Sequence, residues 1–93
     1  MTLFAVRYDY TDDVAAMDST RPEHRAFLGA LQESGDVVAS GPLLDGPAGA
    51  LILVQSGSAE EVEEMLEADP FRREGVIARR EVREWSVVIG SIG

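Results

Sequence analysis

The chain has 93 residues, a formal net charge of −9 with 45% apolar residues, no cysteine and one histidine. That length fits one domain over residues 1–93 and leaves no room for a second. The charge opposes nucleic acid and anionic membrane surfaces. The missing cysteine removes disulfides, thiol nucleophiles and thiolate metal sites, and a lone histidine excludes a metal centre built from several.

Leu3 to Tyr10 alternates, with Phe4, Val6, Tyr8 and Tyr10 on one side, and reads as the first strand. Thr11 to Ser19 is polar and acidic and reads as a loop that could serve as a lid. Thr20-Arg21-Pro22-Glu23 reads as a helix start: Thr20 caps, Glu23 lies three residues on, and proline is tolerated in a first turn. Phe27, Leu28 and Leu31 continue the helix, and Gly35 stops it. Asp36 to Leu44 is the second strand, Asp45 to Gly49 a hairpin connection, and Ala50 to Gln55 the third strand. Its run Leu51-Ile52-Leu53-Val54 lacks polar alternation, so both faces should be covered. Ser58-Ala59-Glu60-Glu61 is a capping box opening a second helix that carries Val62, Met65 and Leu66. Pro70 ends that helix, and Phe71 to Glu74 forms a further turn. Val76 to Ile89 is the fourth strand, whose charges call for a bulge or an edge position.

The order is β-α-β-β-α-β, the ferredoxin-like α+β arrangement with a four-stranded antiparallel sheet. The apolar stripe of each helix includes one ionisable residue: His24 with Phe27, Leu28 and Leu31, and Asp69 with Val62, Met65 and Leu66. In strand order 4-1-3-2 the start of helix one, the end of helix two and the end of strand two share one end of the domain. His24, Asp69, Arg21 and Ser40-Gly41-Pro42 would then converge. A carboxylate at a helix C-terminus also opposes the helix dipole, and such violations accompany functional sites. A His24–Asp69 pair there would be a general acid/base, the carboxylate orienting the ring. Each residue also has a plain structural reading. His24 would be a core histidine satisfied by a neighbour, Asp69 a turn residue, Gly41-Pro42 a strand terminator, and Arg21 a solvated helix-start residue.

Arg21-Pro22-x-His24, Gly35, Ser40-Gly41-Pro42, Asp69-Pro70-Phe71 and Gly75-Val76, with Trp85 in strand four, follow one another in an order that resembles the YciI-like family of the dimeric α/β-barrel superfamily. The resemblance spans nearly the whole chain. It implies a ferredoxin-like protomer whose sheet packs face to face with that of a second copy. It also implies a pocket with a His–Asp pair, here His24 and Asp69, with Ser40 near it. Most of that family has no established reaction, and related members of the superfamily include isomerases, monooxygenases and haem enzymes, so the fold leaves the chemistry open.

The expectation is a cofactor-independent enzyme of isomerase or lyase type acting on a small organic metabolite. His24 and Asp69 would be catalytic, and Arg21, Ser40, Gly41 and Pro42 would bind substrate. No metal or other cofactor is expected. The alternative is a non-catalytic ligand-binding or accessory oligomeric module. A homodimer or higher homo-oligomer is expected, because a chain this short buries only about 60% of its unfolded surface. Thr2 to Tyr10 has no basic leader character, so a cytoplasmic address is expected, without nucleic-acid or membrane partners.

Overall fold

The computed structural model describes residues 1–92; Gly93, the last residue of the expected domain range, lies outside the described residues. The first strand, β1 (Thr2–Tyr10), lies inside the sheet, where alternation places Phe4, Val6 and Tyr8 in the core. It pairs antiparallel with β3 (Gly49–Ser56) on one side and β4 (Ile77–Glu84) on the other. With β2 (Val37–Leu43) against β3, the sheet order is β2-β3-β1-β4. Val6 faces Ile52 and Val82 across the sheet, and Phe4 faces Val54, so the inward face is apolar from neighbour to neighbour. The four-stranded antiparallel sheet and its helices form the ferredoxin-like α+β architecture expected from the order of elements.

The charge-rich fourth strand has both expected features. It is an edge strand, and its register with β1 shifts between Asp9 and Tyr10, where Asp9 faces Arg79 and Tyr10 faces Ile77. The strand stops at Glu84, short of the expected Ile89, although Trp85 N–H still donates to the Leu3 carbonyl at 2.9 Å. On β3, Ile52 and Val54 are fully buried under the helices. The opposite face is less covered than expected: Leu53 is buried, and Leu51 is 39% exposed.

The first helix corrects the sequence reading. The expected loop from Thr11 to Ser19 ends at Asp13: α1 runs from Val14 to Glu33, 20 residues, and the Asp13 side chain caps it by accepting from Ala16 N–H at 3.1 Å. Thr20 is therefore a buried residue inside the helix, Arg21 does not open it, and Pro22 lies in its interior. The buried stripe begins two turns earlier than expected, at Met17 and then Thr20, and continues through His24 and Leu28. Gly35, with φ 88°, stands just beyond the C-cap Ser34 in the left-handed conformation that favours glycine.

The second helix, α2 (Ala59–Leu66), opens as expected. Ser58 Oγ accepts from Glu61 N–H, and Glu61 reaches back to Gly57 N–H and the Ser56 hydroxyl. A short third helix, α3 (Pro70–Arg73), follows and packs on α1. Gly49 is needed for a different reason from Gly35: a Cβ there would collide with the Tyr8 carbonyl oxygen where β3 passes β1.

Candidate functional site

Asp69 is the centre of the site, and its position differs from the expected one. It does not end α2, which stops at Leu66; it is the N-cap of α3, with Pro70 at the first helical position. Its carboxylate thus sits at the positive end of a helix, and the expected conflict with a helix dipole does not exist. The side chain is fully buried. Asp69 Oδ1 accepts from Phe71 N–H at 3.0 Å and lies 2.8 Å from His24 Nδ1; Oδ2 accepts from the Tyr8 hydroxyl at 2.9 Å. A buried carboxylate needs such partners, because an unsatisfied one is costly.

His24 is likewise not in a first turn. It lies ten residues beyond Val14 in α1, on the buried stripe, and meets Asp69 because α3 packs against the middle of that helix. Its ring stacks on Phe71, with centroids 3.9 Å apart and planes 7° apart. Tyr10 holds Phe71 edge-on at 5.4 Å and 84°. The imidazole is therefore fixed twice, by a hydrogen bond in its plane and by an aromatic face against it. A carboxylate only accepts, so Nδ1 is the donor and Nε2 carries the lone pair of the neutral ring.

Tyr8 is the member of the site that the sequence reading left in the core. Its phenol is pushed far above the ordinary range, first by burial and then by the Asp69 charge and hydrogen bond. Tyr10 is pushed up to about 12 by burial and, less, by Asp69. Both hydroxyls therefore stay protonated through the neutral range, and Tyr8 remains a donor to Asp69. The available signal was that a tyrosine at a fully inward strand position requires a buried acceptor for its hydroxyl.

On the other side of His24 lies a cleft of about 550 Å³ between α1, β2 and β3. His24 lines it, whereas Asp69 and Tyr8 do not, and Nδ1 is the ring nitrogen taken up by Asp69. The expected binding residues Arg21, Ser40, Gly41 and Pro42 also line it, and so does Arg25, which the sequence reading did not single out. Arg21 already pairs with Asp18 one turn back along α1. Met17, Leu28, Val37, Ile52 and Phe71 supply the apolar wall. This composition, mainly apolar with a few polar groups, is that of a small-molecule site. Among the described residues, no group of three histidine, cysteine or acidic side chains is arranged to hold a metal ion, and no helix is long and apolar enough to cross a membrane.

Comparison with known proteins gives the class first. The YCII-related domain model matches residues 1–86, and the chain belongs to that family. Among solved structures, it is similar to a 5-chloro-2-hydroxyhydroquinone dehydrochlorinase from Burkholderia phenoliruptrix AC1100 in complex with 2,5-dihydroxybenzoquinone. The identity is 22% and the TM-score 0.79, covering 90% of this chain and 93% of that one. It is also similar to an antibiotic biosynthesis monooxygenase, at 12% identity and a TM-score of 0.58, covering 95% and 99%. At these identities the likeness is one of fold. Comparison with curated proteins gave no match.

Proposed function

We propose that the chain is a single-domain, cofactor-independent enzyme that moves a proton on a small cyclic organic substrate, with His24 as general acid/base. The observation that carries this is the setting of one imidazole: Nδ1 is held by a buried carboxylate, the ring is stacked on Phe71, and the same residue lines the cleft, which leaves Nε2 as the nitrogen free to act there. Nε2 takes a proton from a carbon next to a carbonyl, and the electron pair moves onto the carbonyl oxygen. Asp69 positions the ring and stabilises its charged form, Ser40 binds an oxygen atom of the substrate, and Arg21, paired with Asp18, shapes the rim of the cleft. Return of the proton to another carbon gives isomerisation; departure of a leaving group gives elimination. The fold-level likeness to a dehydrochlorinase is consistent with the second outcome. The working form in this reading is a cytoplasmic homodimer joined through the open sheet face, where Leu51 is 39% exposed, with no nucleic-acid or membrane partner.

A second reading is favoured by the open rim, since every residue from 39 to 48 is exposed. In that reading the cleft binds a metabolite without turnover, as an accessory module in a larger assembly. Turnover of enolisable cyclic ketones and halogenated hydroxyquinones by wild type, His24→Gln and Asp69→Asn separates the two. Loss of about 100-fold or more in kcat for His24→Gln, with the fold intact by circular dichroism, is the expected result. Saturable binding without product in the wild type would favour the accessory module.

A further inference from the structure

The charges around the cleft are distributed against the rest of the molecule. The chain carries 17 acidic residues against eight arginines, yet no aspartate or glutamate lines the cleft, while Arg21 and Arg25 do. The two arginines differ. Arg21 is engaged by Asp18. Arg25 makes no ion pair and no side-chain hydrogen bond among the described residues, although most other arginines of this acidic chain are paired. An unpaired guanidinium in such a background has its five donors free for a ligand.

The surroundings of Arg25 leave room for one. Gly29 stands one helical turn further along α1 and lines the cleft, and a Cβ there would meet nothing within 4 Å. Glycine inside a helix is unfavourable, and here it leaves open space beside Arg25. Gln32 continues the same helix face as a further polar group. Met17, Leu28 and Phe71 form apolar wall in the same cleft, suited to a ring.

We infer that Arg25, rather than Arg21, is the anion-recognising residue of this cleft, and that it selects small cyclic substrates bearing a carboxylate or an ionised enol over their neutral counterparts. This rests on the reading of the cleft as a small-molecule site. Arg25 and His24 are adjacent on α1 and both border the cleft, so an anionic group held by Arg25 brings the attached ring beside His24. In the proton transfer proposed above, negative charge develops on a substrate oxygen, and a guanidinium within reach would stabilise it.

The test is nitrogen-edited NMR titration of the full chain with matched probes, benzoate against benzamide and salicylate against salicylamide, in wild type, Arg25→Gln and Arg21→Gln. The expected result is that the carboxylates shift cleft resonances and bind about tenfold tighter than the amides, the size of one charge-assisted bond at a partly solvated site. Arg25→Gln should abolish that preference while leaving amide binding unchanged, and Arg21→Gln should keep the preference within about threefold by the same conversion. Equal binding of acid and amide by the wild type, or a preference lost in Arg21→Gln and kept in Arg25→Gln, would overturn this inference and leave the small-molecule reading standing. No cleft shift with any probe would overturn both.

Discussion

Glu67 and Asp69 are two residues apart, both are carboxylates, and each collects several donors. Glu67 accepts from Arg80 at 2.8 Å and from Arg72 at 3.2 Å, and its side chain is 51% exposed. Those bonds, Arg80 first and Arg72 second, hold its carboxyl below the ordinary range. Asp69 accepts from His24, Tyr8 and Phe71 with no exposure at all. The difference teaches what solvent does to the same chemistry. Water competes for Glu67 and screens it, so its pair with the exposed Arg72 is nearly interchangeable with hydration, and only Arg80, 9% exposed, depends on it more. Nothing replaces the partners of Asp69, so its bonds fix two side chains and the backbone that opens α3 in one geometry.

The contrast breaks most directly at Asp69→Ala. That change removes the α3 cap and leaves the Tyr8 hydroxyl, Phe71 N–H and His24 Nδ1 without their acceptor, so we expect a loss of about 3–5 kcal/mol in denaturant unfolding. A loss below 1 kcal/mol would mean that the cluster relaxes to other partners.

Alkali tests the same cluster from the phenol side. Tyr8 and Tyr10 are both raised on folding, Tyr10 to about 12, against an ordinary phenol near 10. A raised group contributes stability that is fully present below the unfolded pKa and lost as pH rises through the folded one. Stability should therefore fall from about pH 10 towards pH 12, with tyrosinate absorbance appearing together with unfolding. Tyrosinate absorbance at pH 10 in a chain that is still folded would show that these hydroxyls are reached by solvent.

The smallest effect belongs to the exposed partner. Glu67→Gln should cost far less in denaturant unfolding than Asp69→Ala, because Arg80, whose side chain is 9% exposed, keeps the amide oxygen and Glu63 as partners. Because its carboxyl is lowered on folding, whatever it contributes is present above the ordinary carboxylate pKa and fades as pH falls. A salt-insensitive loss comparable to that of Asp69→Ala would erase the distinction between the two carboxylates.

The sequence carried the sheet well, because its signals are local: alternation in β1, the apolar run of β3 and the charges that place β4 at an edge. It carried the pairing of His24 with Asp69 through their shared helical spacing and the family resemblance, but for partly mistaken geometric reasons. Pro22 after Thr20 imitates a helix start, whereas the operating cap is Asp13, and the stripe through Met17 and Thr20 was the countervailing signal. Likewise Asp69-Pro70 was read as the end of α2 when it is the beginning of α3, since proline at a first helical position follows a cap as readily as it follows a stop. The Tyr8 bond and the free state of Arg25 were not legible, because both depend on which side chains meet across the fold rather than on spacing along it.

The central claim is that Asp69 fixes His24 with Nδ1 protonated and Nε2 left to the cleft. Since His24 is the only histidine, one set of imidazole nitrogen resonances reports on it without ambiguity. We would record long-range proton–nitrogen NMR spectra of the ring in its neutral form, in wild type and in Asp69→Asn. The expected result is a Nδ1–H tautomer in the wild type, with the Nε2 resonance perturbed by cleft ligands and the tautomer preference weakened in the variant. A neutral ring protonated at Nε2, unchanged by Asp69→Asn, would contradict the account.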